Sequence, residues 1–84
     1  MAAQYSRRAL GRIIREYRLA KDWSQEELGF QAGIARNHVS LMELGRHSPT
    51  LDKFEAVAQA LGFPGSILLA QAEMPPASKR SKKA

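Results

Sequence analysis

The sequence contains no cysteine, which excludes disulfide bonds and thiolate metal sites and is compatible with a reducing compartment. Long apolar runs are missing as well. The longest aliphatic run, Ile67-Leu68-Leu69-Ala70, is far shorter than a membrane span, and the opening MAAQYSRRAL does not resemble a signal peptide. We therefore expect a soluble, cytoplasmic protein with no membrane partner.

Residues that favour strands are also scarce. The 84 residues include only two Val, four Ile and one Thr, while 44% of the chain is apolar. Apolar residues recur at helical spacing and strand patterns are absent, which predicts an all-α fold. A chain of this length holds one small domain, which we place at residues 1–74.

The net charge of +5 comes mostly from the end of the chain. Lys79, Arg80, Lys82 and Lys83 supply four of the thirteen basic residues, so residues 1–74 carry nine basic and eight acidic side chains. Any attraction to nucleic acid must then come from how charge is distributed in the domain. We expect residues 75–84 to be a disordered basic tail, which either adds nonspecific attraction to phosphates or is a solvated end.

Apolar spacing and capping residues predict five helices. The first covers about residues 7–21. The second opens at Ser24, where Ser-Gln-Glu-Glu matches a capping box in which Glu27 reaches back. The third covers about 36–44 and is ended by Gly45. The fourth begins at Thr50 with an apolar stripe that starts at Leu51, and the fifth covers about 64–73.

The second and third helices have the spacing of a helix-turn-helix. Gly29 is small where two helices must cross closely, Gly33 tolerates a positive φ in the turn, and Val39, supported by Met42, points back into the corner. Any steep corner between two helices makes the same demands. Spacing alone therefore leaves DNA binding and plain packing open.

Several short motifs together resemble the Cro/repressor-type helix-turn-helix domain, the XRE family. They are Ser24-Gln25-Glu26-Glu27-Leu28, Ala32-Gly33-Ile34, Val39-Ser40, Glu43 with Gly45, and Ser48-Pro49-Thr50-Leu51, within a match from Leu10-Gly11 to Ala60-Leu61-Gly62. The resemblance implies a compact, five-helix, lambda-repressor-like domain with the third helix in the DNA major groove. It also implies a homodimer on a palindromic operator, as in a small repressor, a restriction–modification controller or an antitoxin with a toxin partner.

Four residues of the third helix are predicted to contact bases. Arg36 can donate two hydrogen bonds to guanine, and Asn37 can pair in the same way with adenine. Ser40 and Leu41 lie one turn further along, and Leu41 can meet a thymine methyl. The alternatives are that the polar pair is merely solvated and that Leu41 is partly buried.

Four more residues are predicted to contact phosphates. Gln25 lies in the first turn of the second helix, where the helix N-terminus already favours an anion. Arg46 and His47 follow the third helix, and His38 can act in the same way or be simply solvated.

The resemblance also implies an ion pair between Arg18 and Glu43 that fixes the third helix. Three residues depart from the family pattern. Ala35 replaces a capping Ser or Thr, Asp22 replaces a common glycine, and Leu44 replaces a polar residue.

A core of this size has little room for all the apolar residues near the fifth helix. We expect part of the group Phe63, Ile67, Leu68 and Leu69 to form a twofold dimer interface. The alternative is that these residues close the bottom of the core.

We expect neither an enzyme nor a cofactor or metal site. His38 and His47 do not have metal-ligand spacing, and no phosphate-binding glycine loop or activated nucleophile is evident. The alternative to a DNA-binding regulator is a helical protein-interaction adaptor that uses the same corner without reading bases.

Overall fold

The computed structural model describes residues 6–73 and contains five helices. They are α1 (Arg7–Ala20), α2 (Gln25–Ala32), α3 (Arg36–Glu43), α4 (Leu51–Leu61) and α5 (Gly65–Glu73). The prediction of an all-α, five-helix fold is confirmed, with each boundary within about two residues of its expected place. The predicted basic tail and residues 1–5 lie outside the described residues.

Three helices begin at a hydroxyl side chain. Ser24 Oγ accepts a hydrogen bond from the Glu27 amide at 2.9 Å, and Ser6 and Thr50 cap α1 and α4 in the same way. The expected second half of the capping box is wrong, because the Glu27 carboxylate instead accepts from Gln31 Nε2 at 2.7 Å. Ala35 gives α3 no side-chain cap.

Among residues 6–73 the backbone is left-handed at four positions, Asp22, Gly33, Gly45 and Gly62. Gly33 has a φ of 75° between α2 and α3, as the turn spacing predicted. Asp22 has a φ of 61° after α1 and is the one non-glycine residue with positive φ among residues 6–73. Aspartate adopts this conformation more readily than most residues but still pays a steric cost.

All five helices contribute to one core. Its buried apolar residues are Leu10, Ile14, Leu28, Val39, Met42, Phe54, Val57, Ala58, Leu61, Leu68 and Ala72. The predicted stripe of α4 is correct except at its first residue. Leu51 is 73% exposed, because it follows the Thr50 cap directly and lies at the outer edge of the helix start.

The predicted dimer surface needs a correction. Leu68 is fully buried in the core and is therefore not available to a partner subunit. Phe63 and Ile67 remain about 40% exposed on one side, and the Phe63 ring meets Tyr17 edge-on at 4.8 Å between centroids. Leu69 is half-buried on the other flank of α5, because consecutive helical residues are turned by about 100°.

Candidate nucleic-acid interface

The corner between α2 and α3 is a close backbone approach. A Cβ atom at Gly29 would lie 2.6 Å from the Ile34 carbonyl oxygen, so no larger residue fits without moving the turn. The Ile34 amide donates to the Gly29 carbonyl at 2.9 Å and closes the corner. Val39 and Met42 fill its inner side and are almost completely buried.

A buried ion pair fixes the far end of α3 to α1. Arg18 Nε donates to Glu43 Oε2 at 2.7 Å and Arg18 Nη2 to Glu43 Oε1 at 3.0 Å, while both residues are more than 90% buried. Arg18 Nη1 also donates to the Trp23 carbonyl at 2.7 Å, and Gln25 Nε2 donates to Glu43 Oε1 at 3.1 Å. Four groups from three parts of the chain therefore set the angle of α3.

Gly11 contributes a second contact between α1 and α3 that sequence reasoning did not assign. Its Cβ would lie 2.6 Å from the Glu43 carbonyl oxygen and would also clash with that of Met42. The available signal was a glycine inside a predicted helix, which costs up to about 1 kcal/mol relative to alanine and often marks a close approach.

The opposite face of α3 presents the predicted base-contacting residues. Arg36 and Asn37 are exposed at the start of the helix, and Ser40 and Leu41 are half-buried one turn later. The Arg36 guanidinium makes one long contact, 3.5 Å from Gln25 Oε1. The structure thus brings all four side chains to the outer part of one short helix.

The Gln25 side chain makes hydrogen bonds within the protein that the sequence did not indicate. Its amide donates to Glu43, its oxygen faces Arg36, and the residue is half-buried. The side chain therefore links the ion pair to the first base-contacting residue. An anion at this helix start would be bound mainly by backbone amides of α2.

His38 and His47 pack against each other, which sequence reasoning did not anticipate. Their ring centroids are 4.5 Å apart with the planes inclined at 60°. His38 Nε2 and His47 Nδ1 are buried and have no hydrogen-bond partner. A phosphate contact from either ring must therefore use the other nitrogen, Nδ1 of His38 or Nε2 of His47.

Basic groups lie at both ends of α3. Arg36 is exposed at the start and Arg46 is exposed beyond the end. A Cβ at Gly45 would lie 2.7 Å from the Arg8 Cα atom, so the exposed Arg8 at the start of α1 also lies near this end. Arg8 is a candidate phosphate contact that the sequence did not indicate, because the approach joins residues 37 positions apart.

The part of the chain that the structure describes was also searched for metal-binding clusters and for membrane-spanning helices. Residues 6–73 contain no group of three or more His, Asp or Glu side chains that could hold a metal ion. Within the same range no helix is long and apolar enough to cross a membrane.

Comparison with known proteins identifies the family. A helix-turn-helix family profile matches residues 14–68, which is more than half of the chain and includes α2, the turn and α3.

Two relatives are similar in sequence. The Neisseria hypothetical transcription factor from Neisseria meningitidis serogroup B is 41% identical over 63 residues, which cover 75% of this chain and 59% of that protein. The chain thus matches less than two thirds of that relative's length. The control protein C.BamHI from Bacillus amyloliquefaciens is 37% identical over 60 residues, or 70% of this chain and 74% of that protein.

Solved structures of other proteins agree with this chain in both fold and sequence. The restriction-modification controller protein C.AhdI from Aeromonas hydrophila superposes with a TM-score of 0.72 at 34% identity, covering 74% of this chain and 94% of that chain. The fold is also that of phage repressor DNA-binding domains. The chain belongs to the XRE-type helix-turn-helix family.

Proposed function

We propose that this protein is a sequence-specific transcriptional regulator that binds a palindromic operator as a homodimer, with α3 in the major groove. The observation that carries the proposal is the contrast between the two sides of α3. One side is fixed to α1 and α2 by the Arg18–Glu43 pair. The other side leaves Arg36 and Asn37 exposed.

Rigid positioning matters because base recognition depends on the exact orientation of hydrogen bonds. Arg36 matches the two acceptors of guanine and Asn37 the donor and acceptor of adenine, and each bidentate contact discriminates by about 1–3 kcal/mol. Arg36 must give up only the long contact to Gln25 to reach a base. Ser40 and Leu41 extend the same surface by one turn.

Phosphate contacts orient the domain on the duplex without reading its sequence. The N-terminus of α2 lies on one side of α3, and Arg46 and Arg8 lie near its far end. These groups provide two separate anchor points, so that α3 enters the groove in one register.

The exposed apolar surface of Phe63 and Ile67 supports a dimer. We propose that the twofold axis lies beside these two residues, which the rest of residues 6–73 leaves about 40% exposed. Two copies of α3 about 34 Å apart would then read half-sites separated by one turn of DNA.

The likeness to C.BamHI and C.AhdI favours a restriction–modification controller over an antitoxin or a phage repressor. In this role the protein acts in the bacterial cytoplasm by binding alone, without catalysis or a cofactor.

Selection of binding sites from random duplex DNA tests the proposal. We expect the selected duplexes to share a sequence with twofold symmetry and half-sites centred about 10 base pairs apart. Selection of no common sequence would refute base recognition and favour the adaptor. A common sequence without symmetry would refute the dimer while retaining base recognition.

A further inference from the structure

Leu44 extends the outer surface of α3 by one residue. It follows Glu43, the last residue of the helix, and its backbone is still right-handed at φ −82° and ψ −5°. Its amide donates to the Ser40 carbonyl at 3.0 Å, which continues the helical hydrogen bonding. The side chain is 60% exposed, so the fold leaves most of this leucine uncovered.

The direction of Leu44 follows from the helical repeat of about 100° per residue. Val39 and Met42 are buried and define the inner side of α3. Leu44 is turned by only about 20° from Asn37, which precedes it by seven residues, and by about 60° from Leu41. These three side chains therefore lie on the side of α3 that faces away from the core.

The dimensions of α3 allow its far end to reach base pairs. Its eight residues span about 12 Å at a rise of 1.5 Å per residue, and the major groove of B-DNA is about 12 Å wide. The helix can thus lie in the groove over its whole length. Gly45 has a φ of 74° and ends the helix directly after Leu44, so no further helical turn covers the leucine.

The two ends of this surface differ in chemistry. Arg36 and Asn37 at the start carry hydrogen-bonding groups, whereas Leu41 and Leu44 at the end carry only methyl groups. The C5-methyl of thymine is the apolar group that base pairs present in the major groove. A leucine pressed against a guanine or cytosine edge would instead remove water from polar groups without replacing their hydrogen bonds, which is unfavourable.

We propose that Leu44, together with Leu41, determines specificity by contacting thymine C5-methyl groups in the base pairs under the end of α3. A single exposed leucine is common on protein surfaces, and the argument comes from its place beside Leu41 on the side that presents Asn37. The inference rests on the proposed function and adds the layout of the half-site. Thymine should lie about three base-pair steps from the pair read by Asn37, because seven residues of helix rise about 10 Å.

Replacement of thymine by uracil in the selected operator tests the contact, because it removes only the C5-methyl group. We expect each replacement under the end of α3 to weaken binding of the full-length protein about fourfold, as for the lost burial of one methyl-sized group. At the same position, a 5-methylcytosine–guanine pair should bind more tightly than a cytosine–guanine pair by a similar factor. Both comparisons are made by fluorescence anisotropy at one salt concentration.

Variants of the protein assign the effect to the two leucines. In Leu44→Ala the effect of uracil should fall to less than half at one operator position, and in Leu41→Ala at a neighbouring one. The matched control Leu51→Ala removes a leucine that is 73% exposed on α4, and it should keep the full effect at both positions. Leu44→Ala should change the melting temperature by no more than about 4 °C, because the residue is outside the core.

The possible results separate this inference from the proposed function. Full affinity for the uracil-containing operator, or a selected operator without thymine in these base pairs, would overturn the inference while leaving base recognition by Arg36 and Asn37 in place. An effect of uracil that is undiminished in Leu44→Ala would also overturn the role of Leu44. Selection of no common sequence would refute the proposed function and this inference with it.

Discussion

The Arg18–Glu43 pair allows a quantitative prediction of stability. Both residues are more than 90% buried, and they share two hydrogen bonds. Replacing Glu43 by alanine leaves the Arg18 guanidinium buried without its counter-charge, which costs about 3–5 kcal/mol. A domain of this length has a total stability of about 4–13 kcal/mol. The Glu43→Ala variant should therefore lose a large share of this stability, and it should be only marginally folded if the total lies near the lower value.

Removal of both charges should be much less damaging. In the double variant Arg18→Met/Glu43→Leu no isolated charge is buried, and apolar replacement of a buried pair is often neutral. The Trp23 carbonyl and the Gln25 amide would each lose a partner, at about 1–3 kcal/mol for each buried group left unsatisfied. Because both bonds are only partly buried, we expect a net loss of about 2 kcal/mol.

Equilibrium unfolding in urea, followed by the fluorescence of Trp23, measures these differences. Trp23 is the only tryptophan, and its carbonyl contacts Arg18. Arg15→Met and Glu16→Ala, on the exposed side of α1, are matched controls that should change stability by no more than about 0.5 kcal/mol. If the Glu43→Ala variant were as stable as these controls, the Arg18–Glu43 pair would not be what holds α3 against α1. A double variant less stable than Glu43→Ala would contradict the same claim.

Three further predictions concern caps, turns and the two sides of α5. Ala35→Ser should supply the missing N-cap of α3 and stabilise the protein by about 0.5–2 kcal/mol in thermal unfolding, whereas unchanged or lower stability would contradict the cap geometry. Asp22→Gly should relieve part of the cost of a φ of 61° and raise stability by up to about 1 kcal/mol, and a destabilised variant would show that the Asp22 side chain has a further role. Leu68→Ala should destabilise the fold by about 2–5 kcal/mol, whereas Ile67→Ala should mainly weaken dimerisation in sedimentation equilibrium. The reverse pattern would contradict the burial of Leu68.

The features that the sequence predicted well are local ones. Ser24 and Thr50 predict helix starts because their hydroxyls can cap a helix, and both do so. Gly33 predicts a turn because glycine tolerates the positive φ that it has there. The spacing of Gly29, Gly33 and Val39 along one stretch was enough to predict the corner between α2 and α3. In each case the residues that determine the structure are close in the chain.

The features that the sequence missed depend on how separate parts of the fold pack against each other. Gly11 is required by the approach of α1 to α3, and the packing of His38 on His47 requires the chain to turn back after α3. Neither contact leaves a periodic signal. The base-contacting assignments remain predictions, because exposure of a side chain does not specify the base that it meets.

The prediction of which residues between Ile67 and Leu69 face a partner subunit was inaccurate for a different reason. Three consecutive apolar residues have no periodicity, so the pattern could not say which one faces the core. In the structure Leu68 is buried in the core, whereas Ile67 and Leu69 lie on the two flanks of α5.

The most direct test of the central claim is the affinity of the Arg36→Ala/Asn37→Ala variant for the selected operator and for a scrambled duplex at the same salt concentration. We predict a loss of about 5- to 150-fold for each bidentate contact on the operator, with little change on the scrambled duplex beyond the loss of one positive charge. The control Arg12→Ala/Arg15→Ala, on the outer side of α1, should keep the preference for the operator. An Arg36→Ala/Asn37→Ala variant that still prefers the operator as strongly as the unmodified protein would contradict base reading by α3.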